Sequence, residues 1–331
     1  MKKGLRNFLI GSGVFAGLTA SAGLALHHIT NKLMKIALDR TDGKIPDDFV
    51  NDLAETKPKI TGVKIPAEFI EMRRNSGKLL EDKKLEQVSI NAHDEETLVG
   101  HLFECENAER TIIAMHGWRS TYASDFGVIS DFWHKNNCNV LYVEQRGQNN
   151  SGGEYMGFGL IERYDCKSWA DWVFKNYGDE LPVYLCGLSM GATTVLMASE
   201  LELPECVKGI IADCGFTSPH AIFKHVAEKN MHLFYDGILE NIANDICKRK
   251  IQLGSKDGST TDALQNAKIP VLFIHGTDDH FVPVEMTYEN YKACASPKRL
   301  FVVPGADHGM SYFLEKEKYE QEVIKFWNDF R

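Results

Sequence analysis

The stretch Val183-Tyr184-Leu185-Cys186-Gly187-Leu188-Ser189-Met190-Gly191-Ala192-Thr193-Thr194-Val195 constrains the fold more than any other part of the chain. A short apolar run enters a Gly-x-Ser-x-Gly turn. Good helix formers then continue from Ala192 to Leu201, so the segment predicts a strand, a sharp turn and a helix in succession. Ser189 sits in strained backbone at such a turn. Gly187 and Gly191 carry no Cβ there because side chains would strike the adjoining strand and helix. The helix directs its unpaired N–H groups and positive dipole end toward the serine, where they stabilise developing negative charge. Ser189 is thus a candidate nucleophile, although a Gly/Ser loop after any parallel strand would show the same pattern.

Strand-like and helix-like stretches alternate around this turn. Strands are expected at Glu86–Asn91, Thr97–Glu104, Thr111–His116, Val140–Glu144, Val183–Gly187, Val207–Asp213, Val271–His275 and Arg299–Val303. Helices are expected near Ser124–Lys135, across Glu162–Lys175, up to Glu200 and, as one amphipathic element, over Tyr312–Phe330. Such alternation predicts an α/β fold with a mostly parallel sheet covered by helices on both faces. Between Phe216 and Lys268 the alternation lapses, too far for a plain connection, which predicts a small helical cap over 216–268. Its amphipathic first part, Ala221 to Tyr235, presents Phe223, Met231, Phe234 and Tyr235 either to an acyl group or to the sheet. The spacing of His220, His225 and His232 does not stack three imidazoles on one helix face, so no metal is expected there.

Ligands of parallel sheets gather beyond the carboxyl ends of the strands, so the partners of Ser189 should follow other strands. Two segments qualify: His275-Gly276-Thr277-Asp278-Asp279-His280-Phe281-Val282-Pro283 and Pro304-Gly305-Ala306-Asp307-His308-Gly309. The order Ser, Asp, His, together with these motifs, resembles the α/β-hydrolase superfamily over about residues 86–331. The resemblance implies an α/β-hydrolase fold with Ser189 as nucleophile, Asp279 as acid and His308 as base. Asp278 or Asp213 remains an alternative acid. It also matches His116-Gly117-Trp118-Arg119 after an early strand and the Arg146-Gly147 loop running to Ser151-Gly152. The backbone N–H groups of Trp118 and Met190 would then form an oxyanion hole, with His116 and Gly117 shaping the turn. Trp118 itself either lines an acyl pocket or covers the sheet edge, and His116 and His275, each before a glycine at a strand end, read as shape-giving turn residues rather than acid–base groups.

The function implied is a serine hydrolase that cleaves carboxylic esters of small or medium acyl groups through an acyl-enzyme, needing no cofactor and no metal. An amidase or peptidase with the same triad, and a non-catalytic binding protein on the same fold, are the alternatives. The net charge of −9 is spread along the chain without a Lys/Arg block, which argues against nucleic acid as a partner. Eight cysteines without a Cys-x-x-Cys pair read as buried thiols.

Beyond Lys2, Lys3 and Arg6, roughly 25 residues up to Asn31 carry no formal charge, long enough to cross a bilayer as a helix. Residues 1–38 are therefore expected to be a hydrophobic membrane anchor. A cleaved signal peptide and a buried or surface-lying helix compete with that reading. The leading segment makes the pattern similar to uncharacterised bacterial membrane-anchored hydrolases. Flanking Lys32, Lys35, Arg40 and Lys44 leave the membrane face undetermined. Residues 39–85, polar and holding Pro46, Pro58 and Pro66, read as a spacer with short helical patterns at Asp47 to Glu55 and Ala67 to Arg74, docked in part on the domain 86–331.

Overall fold

The apolar runs assemble into one eight-stranded sheet in the computed structural model, which describes residues 26–40, 65–235 and 237–331. The strands are β1 (Glu86–Asn91), β2 (Thr97–Phe103), β3 (Arg110–Met115), β4 (Cys138–Val143), β5 (Val183–Leu188), β6 (Val207–Asp213), β7 (Val271–Gly276) and β8 (Lys298–Val303). Their spatial order is β1-β2-β4-β3-β5-β6-β7-β8. β1–β2 and β2–β4 pair antiparallel, and every pairing from β4 through β8 is parallel. All positions of β3, β4 and β7 are buried, as coverage by helices on both faces demands, while the edge strand β1 alternates.

The two-residue strand period divides the core. Ile112 and Ala114 point to one face and pack with Phe126, Ile129 and Trp133 of α2 (Tyr122–Lys135) and Val323, Phe326 and Trp327 of α10 (Lys316–Asp329). Ile113 and Met115 point to the other, against Trp169 of α3 (Glu162–Tyr177) and Val195 of α4 (Met190–Ala198). Ahead of the sheet, α1 (Ala67–Glu81) runs past the short pattern expected at Ala67 to Arg74. It buries Leu80 in the α2 layer and pairs Arg73 with Asp125 of α2.

The cap holds α5 (Pro219–His225), a π-turn at Val226–Asn230, α6 (Ile238–Ile251) and α7 (Thr260–Gln265). The amphipathic stretch expected through Tyr235 therefore stops being helical at Asn230, where Met231 N–H reaches back five residues to the Val226 carbonyl at 2.9 Å. After α8 (Val284–Ala293), the C-terminal helix expected as one piece is two: α9 (Ser311–Leu314) and α10, broken at Glu315 with φ −129°. The break brings Tyr312 and Tyr319 edge to face at 5.2 Å. A continuous helix would set residues seven apart about 10 Å from one another along its axis.

Residues 26–38 are helical, with Met34 and Leu38 buried in the cluster that holds Phe158, Met190, Phe216 and Leu239. The last part of the segment expected to be an anchor thus lies against the hydrolase body. Its earlier part, residues 1–25, lies outside the described residues, as does the helical pattern at 47–55. Among the described residues no helix is long and apolar enough to cross a membrane.

Candidate active site

β3 and β5 are neighbours, yet the chain leaves β3 for β4 on one side and β5 for β6 on the other. Loops at their carboxyl ends therefore diverge and leave a crevice, the usual ligand position in such sheets. The loop after β5 is the Ser189 turn. Ser189 has φ 56° and ψ −117°, a conformation that costs roughly 1–3 kcal/mol in a non-glycine residue. Neighbouring groups hold it there, for Ser189 N–H donates to the Asp213 carbonyl at 2.9 Å. A Cβ on Gly191 would fall 1.8 Å from the Met115 carbonyl oxygen, and one on Gly187 would fall 2.2 Å from the Gly191 oxygen. The two glycines are steric requirements of the turn.

Ser189, His308 and Asp279, which sequence reasoning singled out, meet at this crevice. Ser189 Oγ lies 2.8 Å from His308 Nε2, and His308 Nδ1 lies 2.7 Å from Asp279 Oδ2. The other carboxylate oxygen of Asp279 accepts from the backbone N–H groups of Phe281 (2.9 Å) and Val282 (2.8 Å). His275 Nε2 adds a contact to Asp279 Oδ2 at 3.1 Å while also facing the Val282 carbonyl, and its Nδ1 meets Thr287 Oγ1 at 2.6 Å. His275 is thus more than a turn residue, because it helps to hold the acid. The Phe281 ring stands edge to face with His308 at 5.1 Å and limits rotation of the imidazole.

Burial alone would drive Asp279 toward its neutral form, but His308 and His275 offset it and leave the carboxyl well below the usual carboxylate range. Burial likewise lowers the pKa of His308, and the Asp279 charge and hydrogen bond outweigh it, so the imidazole is raised well above its ordinary value. Cys214, next to the ring, follows β6 with φ 50°. Burial pushes its thiol up to about 11, so it is a neutral neighbour. Its sulfur, an Asp279 oxygen and a His308 nitrogen lie within 4.8 Å of one another, the one such donor cluster found among the described residues; the cap histidines are not in it. All eight cysteines are free thiols and seven are buried.

The side chains of the alternative acids take other hydrogen-bond partners. Asp213 turns toward Ser311 Oγ at 3.4 Å and toward Tyr319, and burial raises its carboxyl to about 6. Asp278 accepts from Thr277 Oγ1 at 2.7 Å at an exposed position.

The loop after β3 closes the other side of the crevice. Gly117 N–H is taken by Asp125 Oδ2 at 2.7 Å, so the next amide, that of Trp118, is the loop's candidate oxyanion donor. Met190 begins α4, and its N–H therefore has no acceptor inside the helix. His116 is fully buried, contacts the Gly117 carbonyl through Nδ1 at 2.8 Å and accepts from Gln145 N–H, and burial lowers its pKa. It braces the loop. The Trp118 indole N–H donates to the Ala37 carbonyl at 2.8 Å, which fixes the ring against the N-terminal helix. Sequence reasoning missed Asp125, held by Ser120 Oγ at 2.6 Å and by Arg73. Its signal was an acid set among the apolar residues Ala123, Phe126, Ile129 and Phe132 of one helix.

Residues 125–330 match the prolyl oligopeptidase family. Among curated proteins, the chain is 27% identical to the YqkD protein of Bacillus subtilis over 57% of its own length and 61% of that protein's, so the match spans about three fifths of that relative. It is 25% identical to the YfhR protein of Escherichia coli O157:H7, over 73% of the chain and 80% of the relative. Among solved structures, the esterase Pf2001 of Pyrococcus furiosus superimposes with a TM-score of 0.61 at 21% identity, covering 76% of this chain and 93% of that one. The acylaminoacyl peptidase of Pyrococcus horikoshii does so with 0.55 at 16% identity, covering 76% and 43%. These two likenesses concern the fold.

Proposed function

Given that the chain belongs to the prolyl oligopeptidase family, and so to the α/β-hydrolases, we propose that this serine hydrolase cleaves carboxylic esters of small or medium acyl groups with Ser189, His308 and Asp279 as its triad. The observation that carries the reading is the unbroken line of hydrogen bonds from Ser189 Oγ through both imidazole nitrogens to Asp279. In the neutral ring, Nε2 accepts the serine proton as Oγ attacks the acyl carbonyl, and then returns it to the leaving alcohol. Asp279 keeps the other proton on Nδ1 and stabilises the imidazolium between the two transfers. The amides of Trp118 and Met190 stabilise the oxyanion, at about 3 kcal/mol per donor. Water then attacks the acyl-enzyme by the same steps in reverse.

Ester rather than amide cleavage follows the name of the Pyrococcus furiosus esterase, whose fold superimposes with a TM-score of 0.61 against 0.55 for the acylaminoacyl peptidase, each over 76% of this chain. The family match favours the second reading, an amidase or peptidase working through the same residues. A fluorophosphonate probe should label Ser189 in the parent and not in Ser189→Ala, and the variant should lose ester turnover. A chain-length series of p-nitrophenyl esters set against aminoacyl anilides separates the two readings: faster anilide turnover would move the assignment to the amidase. Membrane anchoring by residues 1–25 belongs to the same proposal, and full-length protein recovered wholly in the soluble fraction of cells would remove it.

A further inference from the structure

Residues 26–40 touch three separate parts of the hydrolase body, one of them the loop that borders the crevice. At the loop after β3, the Trp118 indole donates to the Ala37 carbonyl (2.8 Å), and the Arg119 guanidinium donates to the carbonyls of Ile36 (2.8 Å) and Asp39 (2.9 Å). At the loop after β4, Met156 N–H donates to the Leu38 carbonyl at 2.7 Å and Arg40 N–H to the Glu154 carbonyl at 2.9 Å. The Arg40 side chain there donates to the carbonyls of Asn149, Ser151 and Gly153. At the cap, Asp39 pairs with Lys250 of α6 at 2.6 Å. Met34 and Leu38 pack in the apolar cluster of Met190, whose amide is the second candidate oxyanion donor.

We propose that residues 26–40 act as a strap that positions the oxyanion loop, with Arg119 and the Trp118 indole as the positioning groups; this rests on the ester-hydrolase reading above. Two features, one on each side of this contact, support the strap. Arg119 has φ 49°, a left-handed conformation that a residue with a side chain keeps only when its surroundings over-determine it. The carbonyls of Ile36, Ala37 and Asp39 lie at the end of the helix formed by 26–38, where backbone oxygens lack partners within the helix and the dipole is negative. The arginine therefore satisfies orphan carbonyls and holds its own strained backbone with the same bonds. The Trp118 amide is one residue away, between this anchorage and the Asp125 bond to Gly117 N–H. A small displacement of a donor from the developing oxyanion weakens catalysis while leaving ground-state binding in place.

The test uses the full-length chain and compares Arg119→Gln and Trp118→Phe with the parent. Trp118→Phe keeps an aromatic ring but removes the indole donor together with part of the ring's packing on Phe158 and Arg119, so the melting temperature and the count of titratable sites are read beside kcat. Each variant is titrated with a fluorophosphonate so that rates refer to active sites, and is then assayed for kcat and KM on p-nitrophenyl acetate. Inhibition by a trifluoromethyl ketone, whose serine adduct carries an oxyanion, is measured in parallel. The strap predicts kcat per site about 10-fold lower in each, KM within 2-fold, and weakening of the ketone by the same factor as kcat/KM. A merely structural role predicts fewer titratable sites and a lower melting temperature with kcat per site unchanged, and that result would overturn the strap. Failure of the probe to label Ser189 in the parent would instead overturn the ester-hydrolase reading, and the inference with it.

Discussion

His308 Nε2 stands 2.8 Å from Ser189 Oγ although 119 residues separate them, and the imidazole is held in that pose by Asp279 on its far side and the Phe281 ring across its edge.

The acid can be identified by substitution. Asp279→Asn should lower kcat about 10⁴-fold, the scale on which a triad loses activity when the imidazole tautomer is no longer fixed. Asp213→Asn, whose carboxyl faces Ser311 and Tyr319, should stay within about 10-fold of the parent. Steady-state assays of the two variants decide the matter, and equal losses would point to a shared acid.

The pH profile follows from the charge beside the ring. Catalysis needs neutral His308, and the Asp279 charge outweighs burial to raise its pKa. Ester turnover should therefore climb with pH through a midpoint above the ordinary histidine value of about 6.5. In Asp279→Asn the residual activity should rise at lower pH than in the parent, since the group that raises the pKa is gone. A profile of kcat/KM against pH for both proteins shows whether the limb moves in that direction.

Asp213 should also leave a mark on stability. Burial raises its carboxyl to about 6 from 3.8, so its contribution is fully present below the unfolded value and is lost as pH rises through the folded one. Asp213→Asn removes that loss and should gain on the parent between about pH 4 and pH 7, by up to about 3 kcal/mol at the upper end. Urea unfolding at pH 4.5 and pH 8 gives the comparison; a gain that is the same at both would contradict it.

The turn at Ser189 has no room for a larger residue. The Cβ of Gly191→Ala would lie 1.8 Å from a backbone oxygen of β3, an atom that cannot swing away without moving the strand. Loss of about 4 kcal/mol or more, seen as a collapsed melting temperature or insoluble expression, is expected.

The loop after β3 depends on a helix acid. Asp125→Ala removes the acceptor of Gly117 N–H and leaves Arg73 without its carboxylate. Ester turnover should fall about 10- to 100-fold through the oxyanion loop, measured as kcat per titrated site.

What the sequence determined by itself was whatever depends on local spacing. The two-residue period of buried strands, the helical runs between them and the demand for glycine at 187 and 191 are short-range consequences of backbone sterics, and they locate the Ser189 turn and most element ends to within a few residues. The resemblance to the α/β-hydrolases, carried by the motifs that follow β7 and β8, implied Asp279 and His308 as the partners of the serine. Only the tertiary structure decided what depends on distance between remote groups. It turned Asp213 toward Ser311 and Tyr319, brought His275 onto Asp279, set Cys214 beside the ring, and placed Asp125 of one helix under Gly117 of a loop. It also laid residues 26–38, which composition joins to an uncharged leader, against Trp118 and Arg119. Side-chain direction and the partners of a carbonyl at a helix end are settled by packing among elements far apart in the chain, and no local period of residues encodes them.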